Sequence, residues 1–197
     1  MDDREFIFKE FIESARLLEQ LASQLAEPLE RLGKFLTEQL ASGHKIMILG
    51  NGGSAADAQH FAAELVGRYR RNRTAIPAIA LTTDTSLLTA VGNDFSFEDI
   101  FSRQIEALAQ PGDVVFGIST SGRSKNVLSA FNAARLRKAT TVALVGSDSS
   151  EVKALSDYVI SVPSRDTARI QEAHAIIIHI LSDLIEQAVI AAGEVSS

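Results

Sequence analysis

Residues 118–124, Ile118-Ser119-Thr120-Ser121-Gly122-Arg123-Ser124, place four small hydroxyls and a glycine where an apolar run at 114–118 gives way to a helical pattern over 125–138. The first turn of a helix leaves N–H groups without intrahelical partners, and its dipole favours negative charge there. Ser and Thr add donors without bulk, and Gly122 lets the backbone turn close to a ligand. The anion this composition suits best is phosphate. A Ser-rich N-cap with no ligand has the same composition, because Ser and Thr are favoured caps. No G-x-x-x-x-G-K-[ST] sequence occurs, so this is not a Walker loop.

A second loop of small residues, Gly50-Asn51-Gly52-Gly53-Ser54, follows an apolar run at 45–49 and opens a helix to about residue 66. Ser54 and Asp57, three apart, fit a capping box with Asp in place of Glu. That helix carries His60 and Glu64 on one face. The order H-x-x-x-E is not the zinc-protease H-E-x-x-H, and taken alone the pair also fits a surface contact. The last helix carries Arg169-Ile170-Gln171-Glu172-Ala173-His174 and then His179 within an isoleucine-rich run. A helix apolar all round is expected to be buried. A buried imidazole needs a partner. Spacing puts Glu172 almost directly above His179, with Gln171 displaced around the helix but on the same half; it does not decide which side chain reaches a site. His60, His174 and His179 are three of the four histidines, and His44 falls in a turn. If the two helices meet near the hydroxyl loop, the site holds an anion grip, acid–base groups, and nitrogen and oxygen ligands for a divalent metal such as zinc.

The elements that must position these residues alternate. Short, apolar, unalternating strands are expected at 45–49, 78–81, 114–118, 141–145 and 158–162. Helical patterns fall between them, including 101–109 and a short helix within 82–91 closed by Gly92-Asn93-Asp94. That is the pattern of an α/β fold with a parallel sheet covered on both faces. In such sheets ligands bind beyond the carboxyl ends of the strands, where both small-residue loops lie. Residues 3–42 read as two helices, with Pro28 in the first turn of the second and Gly43 as the stop. The last helix runs over about 166–192, with a frayed tail after Gly193. The whole chain, 1–197, reads as a single domain, and the helical pair at 1–42 serves packing or assembly.

Composition bounds the function. The 197 residues suffice for one substantial core. The formal net charge of −6 argues against general nucleic-acid binding. An anion must then be held by local dipoles and a few cations. The absence of cysteine rules out disulfides and thiolate chemistry. The acidic N-terminus does not open a signal peptide, and the window 175–181 is short and interrupted by His179, so a soluble cytoplasmic protein with no membrane span is expected.

Four motifs in order, G-N-G-G-S-A-A-D-A-Q-H-F-A-A-E-L at 50–65, G-N-D-F at 92–95, I-S-T-S-G-R-S at 118–124 and R-I-Q-E-A-H at 169–174, resemble the sugar isomerase (SIS) domain family, in particular its phosphoheptose isomerase branch. The resemblance covers nearly the whole chain. It implies a three-layer α/β/α sandwich with a five-stranded parallel sheet, assembled as a homotetramer. It puts a substrate phosphate on Ser119, Thr120, Ser121 and Ser124, and sugar contacts on Asn51, Gly52, Gly53, Ser54, Asn93, Asp94 and Gln171. It makes Glu64 and His179 the acid–base pair of an aldose–ketose isomerisation of sedoheptulose 7-phosphate. It also implies one zinc per subunit, on His60, Glu64, Gln171 and His179. The product would enter heptose synthesis for lipopolysaccharide. One position departs from the pattern: Ala168 stands where isomerases of this branch often carry an acidic residue. A non-catalytic SIS relative that binds the bacterial replication initiator also resembles the chain. It lacks residues matching Glu64 and His179.

Overall fold

The computed structural model describes residues 2–195. Five strands, β1 (Ile46–Gly50), β2 (Ala78–Ala80), β3 (Val114–Ser119), β4 (Thr140–Val145) and β5 (Tyr158–Ser161), form one parallel sheet in the order β2-β1-β3-β4-β5. The helices are α1 (Asp3–Ala41), α2 (Gly53–Val66), α3 (Thr85–Asp94), α4 (Ser102–Leu108), α5 (Lys125–Leu136), α6 (Ser150–Ala154) and α7 (Thr167–Val195), with a 3-10 turn at Phe97–Asp99. Alternate strand residues feed opposite cores. Ile46, Ile48, Val114 and Phe116 pack with α1, α2 and α7, whereas Met47, Leu49 and Val115 pack with α4 and α5. Burial on both faces explains why the strands read as continuous apolar runs.

The chain leaves β1 toward β2 on one side and returns to β3 on the other. Strand order therefore reverses between β1 and β3, whose ends are in register, Gly50 opposite Ile118. Ligands of doubly wound sheets bind in the crevice at such a point. Both small-residue loops emerge there.

The two leading helices expected from Pro28 are one 39-residue helix with that proline inside it. Leu21, Leu25, Leu29, Leu32, Leu36 and Leu40 form one buried stripe running through Pro28. Burying a leucine contributes about 1.5–3 kcal/mol, and an interior proline costs roughly 3 kcal/mol. Six buried leucines on one face outweigh one proline. The capping box at Ser54 also fails to form. Helix α2 starts at Gly53 with Gly52 as its cap and no side-chain cap bond. The turn is closed by backbone instead, Ser54 N–H donating to the Asn51 carbonyl at 3.0 Å. That places Ser54 inside the helix, buried. Gly92-Asn93-Asp94 forms the last turn of α3 rather than a stop after it. Helix α7 continues past Gly193 to Val195; the rest of the tail expected to fray, Ser196 and Ser197, lies outside the described residues. By length and composition α7 would suffice to cross a membrane, but here it packs against α1 and α2 and turns His174 and Glu186 inward, both fully buried.

Candidate active site

The first half of the site is the hydroxyl loop between β3 and α5. Ser119, at the end of β3, is buried, and its Oγ accepts the Gly122 N–H at 3.1 Å and lies 3.3 Å from Ser124 Oγ. Ser121 is exposed, and its Oγ accepts the Arg123 N–H at 3.3 Å. Gly122 has φ +61°, and a Cβ there would fall 2.3 Å from Ser149 Cβ, so both conformation and space require glycine. Ser124 caps α5 through its carbonyl, which accepts from Val127 and Leu128, and its side chain makes no cap bond. The hydroxyl is thereby left toward Ser119. Beside Thr120 and Ser121 a cleft of about 150 Å³ carries Arg123 and Arg165 at its rim. Both arginines face Asp148, at 3.8 and 3.1 Å. The cleft thus carries two guanidinium charges against one carboxylate.

The second half lies where α2 meets α7. His60 Nε2 is 3.1 Å from Glu64 Oε1 and 3.3 Å from His179 Nε2, the two rings meeting edge to face at 4.9 Å. One ligand atom from each of His60, Glu64 and His179 lies within 4.8 Å of the others. Two Nε2 atoms and a carboxylate oxygen bring more lone pairs together than ring protons can satisfy, so the donor set fits a divalent cation. One turn earlier on α2, Asp57 has a buried Oδ2 with no hydrogen-bond partner; burial raises its carboxyl above the usual range, against the pull of His60.

His179 is half-buried, not enclosed as its isoleucine-rich surroundings predict. Ile176 and Ile180 on the same helix are each 40% exposed, so α7 is apolar all round without being covered all round. The fully buried imidazole is His174, which burial pushes down to about 4 against a weaker upward pull from the Val145 backbone; by geometry neither ring nitrogen has a partner. Glu172, the neighbour spacing favoured for His179, instead accepts from Arg169 Nη2 at 2.7 Å. Gln171 packs its amide on Gly53, where a Cβ would collide with it. Gly53 thus lets α7 close on the first loop. Asn93 and Asp94 are exposed at the end of α3 and bond to each other at 2.8 Å. Lys125 Nζ donates to Glu98 Oε1 at 2.8 Å, tying the segment after them to the start of α5.

One reciprocal side-chain contact ties the first loop to the first turn of α5. The side-chain amides of Asn51 and Asn126 exchange two hydrogen bonds, each 2.9 Å. Asn126, buried in the first turn of α5, was not legible as a site residue, because nothing around it in sequence marks an asparagine that pairs 75 residues away.

Comparison with known proteins identifies the family and the fold. Residues 10–146 match the SIS domain family. Over 191 residues the chain is 52% identical to the phosphoheptose isomerase of Trichlorobacter lovleyi, an alignment covering 96% of this chain and 97% of that one. Over 172 residues it is 54% identical to the phosphoheptose isomerase of Geobacter sulfurreducens, covering 87% and 91%. The solved phosphoheptose isomerase of Neisseria gonorrhoeae superposes with a TM-score of 0.89 at 44% identity, covering 93% of this chain and 98% of that one. That of Francisella tularensis gives 0.92 at 35%, covering 95% and 100%. These likenesses favour an enzyme over the initiator-binding alternative. The chain belongs to the phosphoheptose isomerase branch of the SIS domain family.

Proposed function

We propose that the chain interconverts sedoheptulose 7-phosphate and D-glycero-D-manno-heptose 7-phosphate through an enediol, the first step of ADP-heptose synthesis in the cytoplasm, supplying heptose to lipopolysaccharide. The observation that carries this reading is the convergence of His60, Glu64 and His179 on a fold whose switch point also carries the hydroxyl loop. The phosphate is held by Ser119, Thr120, Ser121 and Ser124 and the first-turn N–H groups of α5. The sugar reaches along Asn51, Gly52, Gly53 and Ser54 toward α7, with Asn93, Asp94 and Gln171 as further contacts. Glu64 takes the proton from the carbon next to the carbonyl and returns it to the neighbouring carbon, while His179 moves protons at the oxygens. A zinc ion on His60, Glu64, Gln171 and His179 would supply polarisation of the carbonyl and stabilisation of the enediolate.

The reading includes a homotetramer. An apolar groove of about 420 Å³ runs between α1 and α7, lined by Leu18, Leu21, Leu25, Ile176, Ile177 and Ile180 among others, and Phe6, Ile7, Phe8 and Phe11 stand exposed along the start of α1. Its walls carry no cation and no acid–base group except Glu30, which suits helices of another copy and not a phosphosugar. Turnover of sedoheptulose 7-phosphate, against other ketose phosphates and with and without a chelator, tests the reaction. Light scattering on the same preparation tests assembly. Absence of turnover with any ketose phosphate would return the chain to the non-catalytic reading, and a fully active monomer would remove the tetramer.

A further inference from the structure

His179 has a second neighbour besides His60. The Tyr69 ring stacks on its imidazole, centroids 5.4 Å apart and planes inclined by 26°. Tyr69 belongs to no helix or strand; it lies in the connection between α2 and β2. A side chain on such a connection holds one place only if its backbone is pinned.

The pin is Glu186, seven residues after His179 on α7 and so on the same helix face, two turns on. Its carboxylate is fully buried. Oε2 accepts the Tyr69 N–H at 2.9 Å, and Oε1 accepts the N–H groups of Arg70 and Arg71 at 3.0 and 2.8 Å. Burial pushes this carboxyl up, but the three N–H donors and the Arg73 charge more than reverse that and hold it below the usual carboxylate range. Arg73, its side chain 2% exposed, has Nε 3.6 Å from Glu186 Oε2, and its guanidinium donates to the carbonyls of Glu64 and Gly67. The same connection is thus tied to the helix turn that carries Glu64.

A buried carboxylate is a costly way to pack one helix on another, and a well-packed apolar side chain does that work with less desolvation. What Glu186 adds is a single conformation for residues 69–71. We infer that Tyr69 is a positioning residue for His179, and that Glu186 acts through it. His60 meets the Nε2 edge of the imidazole and Tyr69 covers its face. Together they fix the ring plane, which one edge contact would leave free to rotate. Misplacing a reacting group by about 1 Å costs on the order of 100-fold in rate.

This inference rests on the isomerase reading for its kinetic test but not for its spectroscopic one. Tyr69→Phe keeps the stacked ring and is expected to retain wild-type kcat. Tyr69→Leu removes it and is expected to lower kcat by roughly 10- to 100-fold, with KM and thermal midpoint close to wild type. Glu186→Gln places an amide against the three N–H donors and is expected to lower kcat similarly, adding little to Tyr69→Leu in the double variant. Should Glu186→Gln fail to fold, the Tyr69 pair still decides. Wild-type kcat in Tyr69→Leu would overturn the inference, as would a Tyr69→Phe as slow as Tyr69→Leu, since the hydroxyl and not the ring would then matter. The chain has two tyrosines and no tryptophan, so Tyr158→Phe leaves Tyr69 as its only strong emitter. In that background His179→Gln is expected to change tyrosine emission, because the ring stacked on Tyr69 is lost. Unchanged emission would overturn the contact itself, whatever the wild type's activity.

Discussion

At the carboxyl end of β3 the groups proposed to meet a ligand are short hydroxyls and backbone N–H donors, all within seven consecutive residues. Between α2 and α7 they are long side chains, and His60 and His179 stand 119 positions apart. The first region is fixed by local backbone: Gly122 at φ +61°, Ser119 bonded to the Gly122 N–H, Ser124 at the helix cap. The second exists only because two helices pack on the same face of the sheet and Gly53 lets α7 come close. The contrast separates the expected kinetic roles. In the proposed reaction the loop grips a phosphate that does not change, so its interactions would be uniform and belong in KM. The cluster is proposed to move protons, so its interactions would belong in kcat.

The largest expected effect tests that division. Glu64→Gln and His179→Gln should each fold and bind phosphosugar, yet lose roughly 10²- to 10⁴-fold in kcat, the usual worth of one acid–base group. The double variant should be little worse than the poorer single one, because both serve one proton path. Ser124→Ala should do the opposite, raising KM by the equivalent of about 1.5–3 kcal/mol for a bond to a charged acceptor while leaving kcat nearly unchanged. Steady-state kinetics on the three variants suffices. A large kcat loss in Ser124→Ala, or a pure KM effect in His179→Gln, would break the division.

A second expectation concerns the buried histidine of the α7 region. His174 titrates near 6.5 when exposed and near 4 in the fold because burial disfavours its charged form. Between those values the unfolded chain takes up a proton that the folded chain refuses. Stability is therefore untouched above about pH 6.5 and is lost as pH falls toward 4, by about 3 kcal/mol in all. Urea midpoints at pH 7 and pH 4.5 should show this loss in the wild type and a smaller one in His174→Met. Equal acid loss in both would mean that other groups carry it. The depressed carboxyls of Asp113 and Glu186 give up their share only at lower pH, below their ordinary values.

The same contrast explains what the sequence made legible. The sheet was readable because β1, β3 and β4 are buried on both faces and so are apolar without alternation. The loops were readable because Ser119 to Ser124 and Gly50 to Ser54 act through local backbone geometry. Helix α1 was misread because proline weighs heavily in local propensity, whereas the leucine seam that overrides it is a tertiary fact. The burial of His179 was misjudged for a related reason. An apolar surround predicts a covered helix, and sequence does not say which of its faces a single chain leaves bare. Tyr69, Asn126 and Glu186 carried no signal at all, since each acquires its role from a partner 75 to 117 residues away.

The smallest expected effect probes the joint between the two regions. Asn51 lies in the first loop and Asn126 in the first turn of α5, just after the hydroxyl loop, and their amides close a reciprocal pair. Removing either side chain leaves the other's donor and acceptor facing a largely enclosed space, a cost of about 1–3 kcal/mol. Removing both takes away the orphan along with the bonds. Asn51→Ala and Asn126→Ala should therefore each lower the urea midpoint, and the double variant should fall well short of their sum, by about 1 kcal/mol or more. Asn51 also faces the proposed sugar, so its variant should raise KM further than Asn126→Ala does. If the two changes add independently, the loops are held apart by their own helices and strands, and the amide pair does not couple the phosphate grip to the α2 end of the site. If they are strongly non-additive, the anion loop and the proton-transfer region are set in register by this one contact as well as by the sheet beneath them.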